Sequence, residues 1–151
     1  MSNSMNMNSI KDTNCDSMVD KNVGIMGMEV YTPSTYVSQS ELEECLGVSK
    51  GRYTLGLGQD GLAICGDCED VNSLALTVVK SLLEKHDISP CEIGRLEVGT
   101  ETLVDKSKST KTVLMELFPS NPNIEEATVV NACYGGTATL LNPFAHVESD
   151  G

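Results

Sequence analysis

Apolar positions along the chain change period several times, and the changes mark out alternating strands and helices. Val23-Gly-Ile-Met-Gly-Met-Glu-Val-Tyr31 alternates as a strand does, and Pro33 closes it. Ser38 to Leu46 predicts a short helix, with Ser40 and Glu43 as a capping box and Gly47 at the stop. Gly51 to Gly66 is glycine-rich and predicted to be mostly loop. The clearest helical period opens at Asp70. Val71, Leu74, Ala75, Val78, Leu82 and Leu83 fall at helical spacing, Lys80 and Glu84 lie on the polar side, and Asp87 to Pro90 ends the run. Ile93 to Gly99 reads as a strand with Leu96 and Val98 on one face. A helix follows from about Ser109 to Phe118, striped by Val113, Leu114, Leu117 and Phe118 and stopped by Pro119. Glu125 to Asn131 is the next strand, and a last helix starts near Tyr134.

Strands that alternate with helices predict an α/β fold with a mainly parallel sheet. Such a sheet needs cover on both faces, and the chain stops soon after the last helix starts, so residues 23–151 read as an incomplete part of a larger layered domain. The first stretch, 1–22, is rich in Ser, Asn and Met, with Asp12, Asp16 and Asp20 outweighing Lys11, and is predicted to be a disordered lead.

Composition narrows the partners. The chain has 151 residues, enough for one domain with a core but not two. Its net charge of −12 argues against nucleic acid and anionic membranes, which need clustered Lys and Arg. A phosphate-bearing ligand stays possible through a local basic patch or backbone amides. No apolar run reaches the roughly 20 residues of a membrane span, and the lead resembles neither a signal nor a transit peptide. The expected location is the cytoplasm, where six cysteines read as reduced thiols rather than a disulfide frame.

Two places carry candidate chemistry. In Asn131-Ala-Cys-Tyr-Gly-Gly-Thr-Ala138 an apolar strand runs into a cysteine, two glycines and small helix formers. This is how a strand, a tight turn and a helix read when the turn presents a nucleophile. A thiol at a helix start faces the positive end of the helix dipole, which favours the thiolate, and small residues after it admit a substrate to the backbone. The alternative for Cys133 is a small core residue, where most free cysteines sit. In Arg95-Leu-Glu-Val-Gly-Thr-Glu-Thr102 the strand ends at Gly99 and leaves Glu101 on the loop beyond it. Ligands of α/β sheets sit beyond the carboxyl ends of the strands, and a carboxylate there suits a general base. Its alternative is a solvated loop glutamate or a cap. Glu97 alternates within the strand and ranks below Glu101.

Other motifs are weaker. Cys65-Gly-Asp-Cys68 is compatible with a redox pair or half a zinc site, but no second ligand pair has matching spacing, so no metal is expected. Gly56-Leu-Gly-Gln-Asp-Gly61 matches a dinucleotide fingerprint literally but opens no helix. Lys106-Ser-Lys-Ser-Thr-Lys111 reads as a solvated helix start, and His86 and His146 have no evident chemical partners in the sequence.

Glu101 and Cys133 together, in their surrounding segments, resemble hydroxymethylglutaryl-CoA synthase, a member of the thiolase-like superfamily. The resemblance rests on Val23-Gly-Ile25, Met28-Glu-Val-Tyr31, Gly51-Arg-Tyr-Thr-Leu-Gly-Leu-Gly-Gln-Asp60, Glu69-Asp-Val-Asn-Ser73, Ile93-Gly-Arg-Leu-Glu-Val-Gly-Thr-Glu-Thr102, Asp105-Lys-Ser-Lys-Ser109 and Asn131-Ala-Cys-Tyr-Gly-Gly-Thr-Ala138. It implies that acetyl-CoA acylates Cys133 and that Glu101, in a water-poor site, removes a proton from the acetyl methyl group. The enolate then attacks acetoacetyl-CoA, and hydrolysis releases hydroxymethylglutaryl-CoA, an intermediate of the mevalonate route to isoprenoids. CoA thioesters enter as substrates and no separate cofactor is implied. Ser49, Lys50 and Arg52 match the family's CoA-contacting segment, with Arg52 where the family usually has lysine.

The departures from the family pattern are also informative. The family's histidine general acid and its second α/β half have no counterpart here, and His146 matches no catalytic position. Pro143 falls inside the helix after the nucleophile, where a proline costs on the order of 3 kcal/mol. The match decays after Asn142. The resemblance therefore implies that the short chain lacks the full activity. The alternative is a non-catalytic homologue, associating with itself or with a full-length synthase subunit.

Overall fold

The computed structural model describes residues 23–149; the predicted lead lies outside the described residues. Among the described residues, four strands and four α-helices follow in the order β1 (Thr35–Ser38), α1 (Gln39–Leu46), β2 (Gly61–Ile64), α2 (Val71–Lys85), β3 (Arg95–Gly99), α3 (Thr110–Leu114), β4 (Glu125–Val129) and α4 (Gly135–Ser149). β3 and β4 pair in parallel, with Arg95 opposite Glu125 and Gly99 opposite Val129. This is the predicted α/β architecture.

The strand pair is sandwiched. Residues 95, 97 and 99 share one face with 125, 127 and 129, because side chains alternate along a strand. α4 covers that face: Asn142 Nδ2 donates to Glu97 Oε2 at 2.9 Å, and His146 Nδ1 lies 3.1 Å from Glu125 Oε2. α3 covers the other face, where the Ser109 and Thr128 hydroxyls are 2.6 Å apart and Lys111 pairs with Glu126. Lys111, expected in a solvated basic cluster, is instead an anchor between helix and sheet. The buried apolar side chains are Leu114 on α3, Phe118 after the turn that follows it, Ile124 just ahead of β4, and Ala138 on α4. α2 packs on α3.

Asp70 and Ser73 cap α2 reciprocally: Asp70 Oδ1 accepts from the Ser73 amide, and Ser73 Oγ accepts from the Asp70 amide, both at 2.8 Å. Buried Asn121 ties the amino ends of the two strands together. Its Nδ2 donates to the carbonyls of Pro90 and Ile93 at 2.9 and 2.8 Å.

Three expectations need correction. Val23–Tyr31 alternates as a strand would but joins no sheet among the described residues, because alternation does not supply the ladder partner a strand needs. The segment runs beside α2 instead, with Gly27 against His86, Glu29 paired to Lys85 at 2.6 Å and the Tyr31 hydroxyl on the Glu69 carboxylate. Gly51 to Gly66 is mostly loop, as expected, and its last part forms β2, which pairs antiparallel with β1 from Thr35 opposite Ile64 to Ser38 opposite Gly61. The helix expected to reach Phe118 is α-helical only to Leu114 and tightens into a 3-10 turn over Met115–Leu117. The Ser40–Glu43 capping box does not form. Ser38 precedes the first turn of α1, and Glu43 is committed elsewhere. The predicted stop holds, with Gly47 in the left-handed conformation at φ 63°.

α4 continues through Pro143. Proline has no amide to donate into the helix, and its ring crowds the preceding turn. Replacing it by alanine restores the donor. Pro143→Ala is expected to stabilise the chain by about 2–3 kcal/mol, read as a raised urea midpoint. An unchanged midpoint would show that the helix tolerates the proline without cost.

Candidate active site

The Cys133 turn is built by backbone bonds at the mouth of α4. The Gly135 amide donates to Ala132 O and the Ala138 amide to Tyr134 O, both at 2.9 Å, so Cys133 sits just ahead of the first helical turn. Its thiol is exposed. The two glycines that follow differ in role. Gly135 is buried against the end of β3, whereas a Cβ on Gly136 would meet only open space.

Glu101 follows the end of β3. The Thr100 amide donates to Val129 O at 3.1 Å, which extends the parallel ladder by one rung beyond Gly99. The Thr100 hydroxyl then brackets the turn, accepting from the Thr102 amide and donating to Thr102 O, each at 3.1 Å. Glu101 and Cys133 thus leave the carboxyl ends of two neighbouring parallel strands. Gly99 sets how closely those ends approach α4: a Cβ there would lie 2.8 Å from Gly135 O. Glu101 is exposed.

Ser49, Lys50 and Arg52 lie apart from this pair, all exposed in the turns after α1. What shapes their segment is Glu43, only 2% exposed. One carboxylate oxygen accepts from the amides of Tyr53 and Thr54 at 2.7 and 2.9 Å, and the other from the Gly51 amide at 2.7 Å. The Thr54 hydroxyl adds a bond at 3.2 Å. These donors, the Thr54 and Gly51 amides foremost, pull the carboxyl down from its ordinary 4.5 to about 2. The sequence reading missed this role. The available signal was an acidic residue at the end of a short helix, before a glycine-rich turn with many unpaired amides.

Glu97, ranked below Glu101, is a structural carboxylate. Its side chain is 1% exposed, and Oε1 accepts from Arg95 Nη2 and Nε at 2.6 and 2.8 Å. Cys65 and Cys68 are free and exposed around a turn that Glu69 closes by accepting from the Gly66 amide at 2.7 Å. Among the described residues, no group of three or more His, Cys, Asp or Glu side chains could hold a metal ion. The Gly56–Gly61 motif leads into β2 rather than a helix.

Comparison with known proteins decides the family. The sequence profile described as hydroxymethylglutaryl-coenzyme A synthase N terminal matches residues 19–151. The chain belongs to the hydroxymethylglutaryl-CoA synthase family. It is 56% identical over 131 residues to hydroxymethylglutaryl-CoA synthase A of Dictyostelium discoideum, covering 85% of this chain and 27% of that protein. It is 54% identical over 138 residues to the cytoplasmic hydroxymethylglutaryl-CoA synthase of Gallus gallus, covering 90% and 26%. The chain therefore spans about a quarter of the length of these curated relatives. A solved structure of MvaS in complex with 3-hydroxy-3-methylglutaryl coenzyme A superposes with a TM-score of 0.76 at 36% identity, over 83% of this chain and 30% of that one. The fold of this hydroxymethylglutaryl-CoA synthase family member is thiolase-like.

The Glu43 anchor makes a pH prediction. A carboxyl whose folded value is lowered stabilises fully above its unfolded value, and that contribution is lost as pH falls through the folded one. The window runs from 4.5 down to about 2. Wild-type thermal stability is expected to fall more steeply across this window than that of Glu43→Gln. Parallel curves for the two proteins would show that the anchor carries no pH-linked stability.

Proposed function

We propose that this chain carries the nucleophile and the general base of the hydroxymethylglutaryl-CoA synthase reaction. The observation that carries the reading is the placement of Cys133 and Glu101 at adjacent carboxyl ends of β3 and β4, with Gly99 against Gly135 between them. The Cys133 thiolate attacks the thioester carbonyl of acetyl-CoA. CoA leaves as its thiolate, and the acetyl group stays on sulfur. Glu101 takes a proton from the acetyl methyl group, whose acidity the thioester raises. The resulting carbon nucleophile adds to the ketone of acetoacetyl-CoA, the alkoxide gains a proton, and water cleaves the Cys133 thioester to free hydroxymethylglutaryl-CoA. Backbone amides at the start of α4 are suited to hold the enolate oxygen.

Lys50 and Arg52, with Ser49, are the proposed contacts for the CoA phosphates. In a chain of net charge −12, these two exposed cations give an anionic substrate a local place to dock. The proposed location is the cytoplasm, the compartment in the names of the chicken and mouse relatives; no helix among the described residues is long and apolar enough to cross a membrane. The pathway proposed is mevalonate synthesis. Acylation and proton removal are the steps assigned to this chain, and the alkoxide's proton donor is not assigned to it.

A second reading has support of its own. Val130, Tyr134, Leu140 and Leu141, all close to the nucleophile turn in sequence, are 50–56% exposed, which suits a non-catalytic chain docked on a synthase subunit or on a second copy.

Radiolabelled acetyl-CoA separates the readings. The folded wild-type chain is expected to take up a covalent label that is absent from Cys133→Ala. A folded wild-type chain that takes none would remove the catalytic reading and leave the docking one.

A further inference from the structure

α4 carries polar side chains where it meets β3 and β4, beside its buried Gly135 and Ala138. Gly135, Thr139, Asn142 and His146 recur every three or four residues and so form one stripe. Gly135 and Thr139 meet Gly99, Asn142 meets Glu97, and His146 meets Glu125. Arg95 joins the two strands beneath, with Nε and Nη2 on Glu97 Oε1 and Nη1 on Glu125 Oε2 at 3.0 Å. Glu97 is the hub. Its two oxygens are divided between Arg95 on its own strand and Asn142 on the helix, and it is almost completely buried.

We infer that Glu97, acting through Asn142, is a positioning residue that fixes Cys133 relative to Glu101. The inference rests on the catalytic reading above. Glu101 extends from the strand that carries Glu97, and Cys133 precedes the helix that carries Asn142. The Gly99–Gly135 contact sets only the distance between strand end and helix start. Two small residues touching through backbone atoms let the helix roll about its own axis. Roll swings the Cys133 turn sideways past Glu101, and a directional bond further along the same stripe opposes it. Glu97 and Asn142 form that bond. Pro143 follows Asn142 directly and removes a helical hydrogen bond there, so the side-chain bond restrains α4 where its own ladder is interrupted.

The test uses the full chain and two readouts: label transferred from acetyl-CoA to Cys133, which needs the thiol alone, and exchange of the bound acetyl methyl protons with deuterated water, which needs Glu101 aligned with the acetylated thiol. Asn142→Asp sets a carboxylate against the Glu97 carboxylate. Methyl exchange is expected to slow about tenfold to a hundredfold, while label uptake per folded molecule holds. The pair Glu97→Gln with Asn142→Asp restores a bond with donor and acceptor reversed: the introduced side-chain amide keeps its oxygen for Arg95 and turns its nitrogen to the new carboxylate. Exchange is expected to recover in that pair. Unchanged exchange in Asn142→Asp, an equal fall of label and exchange, or no recovery in the pair each overturns the positioning role. A wild-type chain that takes no label overturns the catalytic reading and the positioning role with it. A chain that labels normally but is indifferent to Asn142→Asp overturns the positioning role alone. Folding of each variant is checked by its thermal transition.

Discussion

No side chain fits at the end of β3. The backbone of Gly135 occupies the space where a Cβ on Gly99 would sit, and the placement of the start of α4 beside the strand ends depends on that contact. It makes α4 start beside the strand ends and run back across the sheet face rather than away from it. It brings the turn before α4 next to the loop after β3, which is where Cys133 and Glu101 lie. A bulkier pair here would wedge the helix outward and separate the two chemical groups without altering either one. Close backbone approach of this kind belongs to glycine for steric reasons.

Both faces of the parallel pair are held by polar contacts. On the α3 side the Ser109 and Thr128 hydroxyls meet and Lys111 pairs with Glu126. On the α4 side Asn142 donates to Glu97 and His146 meets Glu125, while Arg95 joins Glu97 to Glu125 across the strands. Apolar packing is non-directional and tolerates small slides; hydrogen-bonded charge is directional and does not. Asn121 complements this at the opposite end of the sheet, where it joins the segments leading into both strands.

Much of this was legible in the sequence where local pattern and tertiary need agree. Asp70 caps α2 because its partner Ser73 lies in the same turn. Leu114 and Phe118 could be placed in the core from their helical spacing, and Glu101 and Cys133 from the strand-then-turn grammar around them. The failures share a cause, which is a partner distant in sequence. Val23–Tyr31 has a strand's alternation, but a strand is completed by a neighbour's backbone. β1 and β2 carry no buried face to give them a period: every residue of Gly61–Ile64 is exposed. Glu43 looked like a helix-start partner for Ser40 because that pairing is local, whereas its true donors lie in a loop with no pattern. Glu97 ranked low for chemistry because alternation put it inside the strand, which is also why it is buried enough to serve as a hub.

Glu43 also bears on how the segment proposed to contact CoA can change over time. Three amides and a hydroxyl of the 51–54 turn converge on one carboxylate, and the amides would be donated whatever side chains those residues carried. The path of this stretch is therefore largely separated from the identity of its exposed groups. Ser49, Lys50 and Arg52 sit on a frame that need not be rebuilt when one of them is exchanged. One charged side chain can replace another at this rim while the scaffold beneath it stays constant.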